Sequence, residues 1–130
     1  MIFSTFRHYV LNLAPKITYK PESGYANTNS SSYTVVDGMA MTPGLGDYLV
    51  IFNGTVSNNT AGASTTVMIY AGGEDNLYSI GRVVHQDTTN HSVTTVAYIT
   101  LTDEEVVDVR WRVSSGQGTF KNRAMTLLRL

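Results

Sequence analysis

The chain has 130 residues, no cysteine and a formal net charge of -1 at pH 7. That length fits one domain able to bury a core of its own, the missing cysteines exclude disulfides and thiolate metal sites, and the near-neutral balance argues against a general nucleic-acid binder. Only 15% of the residues are charged, against about 25% in an ordinary globular domain, and Ser, Thr, Asn and Gly take up that share, as on proteins that pack into assemblies or sit outside cells.

Residues 1–20 alternate loosely and carry Pro15, with Pro21 just beyond. They read as an extended arm with room for one edge strand, since proline cannot donate to a ladder. Their opening run is broken by Arg7 and His8 and is too short to span a bilayer, so neither a signal peptide nor a membrane segment is expected. Residues 22–32 are polar and form the expected boundary between an arm and linker (1–32) and a body (33–130).

The body reads as a succession of strands. Tyr33–Val36 and Met39–Met41 are short and divided by Asp37-Gly38. After a Pro43-Gly44-Leu45-Gly46 turn, Tyr48–Val56 is a strong strand, apolar on both faces in its first half. Ser64–Ala71 is rich in β-branched residues. Leu77–His85 is weaker and interrupted by Gly81, and Ser92–Leu101 returns as a strand. Val106–Val113 alternates cleanly: Val107, Val109, Trp111 and Val113 form a dry face, Asp108, Arg110 and Arg112 a wet one. Thr119–Leu130 closes the chain. About eight antiparallel strands at regular spacing, with no helical periodicity and no internal repeat, predict an all-β sandwich.

Little in the sequence carries chemistry. His85, Asp87 and His91 lie on and around one polar turn. Imidazole and carboxylate suit zinc, but a closed site usually takes four ligands, so no metal is expected there. Glu74-Asp75 and Asp103-Glu104-Glu105 fall on expected turns, where charge solvates the chain, and neither a glycosidase pair nor an EF-hand is predicted. No serine stands in a nucleophile motif and no glycine run forms a phosphate cradle. Neither catalytic residues nor a cofactor are expected, and the chain is not read as an enzyme.

The run Pro43 to Gly54 (P-G-L-G-D-Y-L-V-I-F-N-G) resembles the "P-x-x-G-x-Y-x-V-x-F-x-G" strand of the C1q/tumour-necrosis-factor-like jelly rolls. Leu101 to Val109 resembles their "L-x-x-G-D-x-V-x-V" turn and strand, with Glu104-Glu105 where Gly-Asp is usual, and Met125 to Leu128 resembles their last core strand. The trailing W-R-V-S-S-G and R-A-M-T-L-L-R-L read most like the versions carried by tailed-bacteriophage virion proteins.

The resemblance spans residues 33–130 and implies a jelly-roll β-sandwich that forms a homotrimer. It points to a capsid decoration (cement) protein, made in the host cytoplasm and carried on the phage head, with the major capsid protein and its own copies as partners. On that reading Phe3, Phe6, Tyr9, Val10 and Leu11 anchor the arm on the capsid, because so apolar a segment should not stay in water. Tyr48, Phe52, Arg110 and Arg112 are the expected subunit-interface residues, since aromatic side chains and arginine favour interfaces. The alternative is a fibre-tip or adhesin module whose Tyr25, Tyr78 and Trp111 stack on cell-surface sugars, although Trp111 alternates with valines and suits a core better.

Overall fold

A computed structural model describes residues 16–130. The expected arm anchors Phe3, Phe6, Tyr9, Val10 and Leu11 lie outside the described residues. Ten strands form two antiparallel sheets: β1 Lys16–Glu22, β2 Ala26–Thr28, β3 Thr34–Met41, β4 Gly46–Asn58, β5 Ser64–Ala71, β6 Glu74–Asp75, β7 Gly81–Val84, β8 His91–Leu101, β9 Val107–Val113 and β10 Gly118–Arg129. The first sheet runs β1-β10-β4-β8, with β2 also on β10. The second runs β3-β9-β5-β6, with β7 also on β5. From β3 onward each long strand passes the chain to the opposite sheet, which is the jelly-roll winding. Three strands, β1, β2 and β6, lie outside the eight or so read in the body, and two of those eight merge into β3.

Residues 16–22 and 26–28, which the sequence assigns to arm and linker, are paired into the first sheet. Lys16 to Glu22 runs in register with Arg129 to Arg123, and Ala26 to Thr28 with Phe120 to Gly118. Pro21 is tolerated because β1 is an edge strand. The two short strands expected at 33–41 are one strand with a register shift against β9 between Val35 and Ala40. Gly38, at φ +78°, sits in that bulge, a backbone conformation that other residues rarely adopt.

The core lies between the sheets. Val50, Phe52, Val56, Met125, Leu127 and Phe120 face inward from the first sheet, and Val67, Ile69, Val107, Val109 and Trp111 from the second. A bulge in β10 between Phe120 and Arg123 aims both of those side chains inward. The Phe120 ring lies where a Cβ on Gly54 would be, 2.7 Å from its Cε1, so a side chain at position 54 would displace it. Buried Arg123 has no carboxylate partner among the described residues. It donates to the backbone carbonyls of Asp37 (2.8 Å), Gly24 and Lys121 (3.1 Å), and so ties the β1–β2 turn and the β3 bulge to β10.

The strand expected over Leu77–His85 begins instead as a 3₁₀ turn at Leu77–Ser79. Asn76 caps it by accepting from the Tyr78 N–H. Ser79 Oγ accepts from the Ile69 N–H at 2.9 Å, and the Ile69 carbonyl accepts from the Asn76 N–H. Side chain and turn thus satisfy β5 in the gap between β6 and β7, where no strand is needed.

Candidate functional site

Alternation along the first sheet fixes two faces, and the outward one carries apolar rows at its centre. Ile17, Leu128, Leu49 and Tyr98 are successive cross-strand partners from β1 to β8; Tyr19, Thr126, Ile51 and Val96 form the next row. Leu49, Ile51 and Leu128 are half-buried by their neighbours, while Ile17, Tyr19, Val96 and Tyr98 are exposed, between 45% and 71%. A single exposed Leu or Val needs no explanation, but two contiguous rows across four strands make an apolar patch.

Of the residues expected at the interface, Tyr48 and Phe52 are elsewhere. They are 3% and 0% exposed within the single chain and point into the core. The correction is one of parity: β4 is apolar on both faces, and the outward set is Leu49 and Ile51. The Tyr48 hydroxyl settles the orientation locally by donating to the carbonyls of Pro43 (3.0 Å) and Gly44 (3.2 Å) in the preceding turn.

Arg110 and Arg112 lie on the outer face of the second sheet, on the far side of the sandwich from the apolar rows. Arg110 is already engaged within the chain. Its Nε and Nη2 donate to the Asp108 carboxylate at 2.9 and 3.3 Å, and its guanidinium sits 4.1 Å from the centre of the Tyr70 ring. The bond to Asp108 raises the Arg110 pKa; burial raises that of the Tyr70 hydroxyl, with Asp75 acting the same way. Asp108, expected on a wet face, is buried beneath this pair. Arg112 rests 4.7 Å over the Tyr33 ring and has no acidic partner among the described residues. Trp111 is 2% exposed and unavailable to a sugar, whereas Tyr25 and Tyr78 are exposed.

The turn that joins β7 to β8 brings His85 and His91 side by side, ring centres 5.3 Å apart. His85 is fully buried, with Nε2 2.8 Å from Thr65 Oγ1 and Nδ1 lacking a hydrogen-bond partner among the described residues. His91 Nε2 approaches Asp87 Oδ1 at 3.4 Å without hydrogen-bond geometry. No three His, Asp or Glu groups among the described residues converge to hold a metal. Glu74, Asp75 and Glu105 do line one open cleft with Tyr78 and Tyr98, but among the described residues no hydrogen bond or ion pair organises these carboxylates into an acid–base pair.

Buried His85 makes stability depend on pH. Burial, then the neighbouring His91 imidazole, lowers the His85 pKa below its ordinary 6.5; Asp87 opposes this more weakly. The folded value lies below the unfolded one, so as pH falls the unfolded chain takes up the proton first. The contribution is therefore intact above about pH 6.5 and is lost progressively below it. The Asp87 carboxylate is held below its usual value by hydrogen bonds from Thr89, so its contribution persists above pH 3.8 and is lost in a lower window. Thermal unfolding should show a midpoint that drops between about pH 7.5 and about pH 5. His85→Gln, which keeps a donor for Thr65 but does not titrate, should remove at least half of that drop.

No family model and no curated protein sequence matches the chain. Solved structures do resemble it. The Eiger TNF of S. frugiperda superposes with a TM-score of 0.54 at 12% identity, over 88% of this chain and 92% of the other. The globular domain of the zebrafish complement 1qA protein gives 0.59 at 10% identity, over 90% and 97%. The VP2 subviral particle of infectious bursal disease virus gives 0.62 at 7% identity, over 90% of this chain and 33% of that one, so the chain spans about a third of the capsid protein's length. At such identities the likeness is one of fold: the chain is a two-sheet jelly roll similar to C1q/TNF-like domains and to a jelly roll of a viral capsid protein.

Proposed function

We propose that this chain is a structural virion protein: a homotrimeric decoration protein that cements a phage head. The observation that carries the reading is the pair of apolar rows across β1, β10, β4 and β8. Three copies packed through that face bury Ile17, Tyr19, Leu49, Ile51, Val96 and Tyr98, and the burial of this apolar surface drives association. The second sheet then remains outermost. Resemblance in fold to a capsid protein supports a particle as its setting.

The N-terminal residues up to Pro15 would reach from the trimer to the major capsid protein, anchored by Phe3, Phe6, Tyr9, Val10 and Leu11. Three arms per trimer act together, so modest contacts add to a tight attachment. Because residues 16–22 belong to the sheet, the informative truncation stops at residue 15. A chain lacking residues 1–15 should still fold and trimerise, yet lose at least about tenfold in affinity for expanded capsids in a co-sedimentation assay. Decoration at full-length affinity by the truncated chain would sink the arm. Binding of the full-length protein to cells or glycans but never to capsids would favour the adhesin instead.

A further inference from the structure

The second sheet carries a cleft on its outward face that holds two arginines. Arg82 of β7 pairs in register with Thr66 of β5, and Thr66 pairs in register with Arg112 of β9, so two guanidinium-bearing residues flank one threonine in a single cross-strand row. Adjacent strands lie about 4.8 Å apart, which puts the two arginine backbones about 10 Å from each other, close enough for both long side chains to meet over Thr66. Thr66 is 8% exposed and forms the floor. Ser64, Ser114 and Tyr33 line the same concavity of about 400 Å³, and no carboxylate does.

Two features give this cleft a preferred occupant. First, Arg82 and Arg112 have no acidic partner among the described residues, whereas Arg110 on the same face is paired with Asp108. Arg112 is laid against the Tyr33 ring at 4.7 Å, which holds its plane while leaving N–H edges free to donate. Two such forks suit an oxyanion, which takes charge-assisted hydrogen bonds from both. Second, the site is concave and within the range of small-ligand clefts, about 300–1,000 Å³. Between the two arginines it is lined by serine and threonine hydroxyls, the Tyr33 ring, and the aliphatic residues Ile80 and Val113, so it is not a flat basic surface. Hydroxyls bond the hydroxyls of a sugar, and an aromatic ring offers a stacking face.

We infer that the Arg82–Thr66–Arg112 cleft binds an acidic saccharide, with the sulfate, phosphate or carboxylate of the sugar held between the two arginines. The site needs only the second sheet, so it stands whether or not the first sheet assembles trimers or the N-terminal segment binds a capsid.

The test is calorimetric titration of the full-length protein at low salt with three matched pairs of probes. These are a short dextran sulfate against uncharged dextran, sialyllactose against lactose, and glucose phosphate against glucose. The expected result is binding of at least one anionic member and not its neutral counterpart, weakened about tenfold or more by Arg82→Gln and by Arg112→Gln, with unchanged thermal midpoints because both side chains are exposed. The pair that responds identifies the oxyanion. Three outcomes overturn the site: no anionic probe binds, binding survives the double variant Arg82→Gln/Arg112→Gln, or a polyglutamate peptide binds more tightly than every saccharide.

Discussion

Ile51→Asp should turn the proposed trimer into a folded monomer. Ile51 sits at the middle of the apolar face, paired with Thr126 on one side and Val96 on the other. In the single chain it is only half-buried, so the fold should lose no more than about 1 kcal/mol, the span of strand preferences at a partly exposed position. In the assembly each copy would place a carboxylate in an apolar contact, at an effective cost of several kcal/mol per ion. Native mass spectrometry should therefore show the 14.2 kDa chain alone, with an all-β dichroism spectrum retained. Val35→Asp is the control. Val35 is 42% exposed on the opposite sheet, and its replacement should leave the trimer intact. A trimer that survives Ile51→Asp would place the contact surface elsewhere.

The largest loss of stability should come from Trp111→Ala, about 3–5 kcal/mol out of the roughly 5–15 kcal/mol that holds a domain together. Trp111 is the largest of the fully buried side chains. Its ring meets Phe120 at 4.7 Å between centres, and Phe120 meets Phe52 edge-on at 5.5 Å, so one aromatic chain joins the two sheets. A Cβ on Gly118 would lie 3.2 Å from Trp111 Cζ3, which shows how closely the backbone of β10 covers the indole. Denaturant unfolding should show the midpoint falling with an unchanged slope. A loss below about 1 kcal/mol, the level of a surface change, would mean that Trp111 is not the keystone of this core.

The strands were legible because most of them alternate. β9 shows this best: Val107, Val109, Trp111 and Val113 are all buried as their spacing predicts. Where both parities are apolar, as in β4, periodicity gives a strand and cannot say which side faces in, and the interface reading fell on Tyr48 and Phe52 for that reason. The answer lay in Tyr48 bonding back to its own turn and in cross-strand neighbours that no local window contains. The edge strand that the arm has room for is β1, but its partner is not legible and β2 is not read at all, because their apolar content is small and β10 is about a hundred residues away in sequence.

The histidine pair left a fainter trace. His85 continues the inward parity of Val83, and His91 that of Val93, so both could have been placed inside from alternation alone. Their closeness depends on the path of the β7–β8 turn. The Arg82–Thr66–Arg112 row required the register of three strands at once, and register is set by turns, bulges and buried faces that act over long separations.

Sedimentation equilibrium of the protein over a wide concentration range reads the proposed assembly itself. A trimer built on the first sheet should run as one species at three times the 14.2 kDa chain mass, dissociating only on strong dilution or when the apolar rows of that sheet are charged. A protein that stays at the mass of a single chain up to the highest concentrations would contradict it.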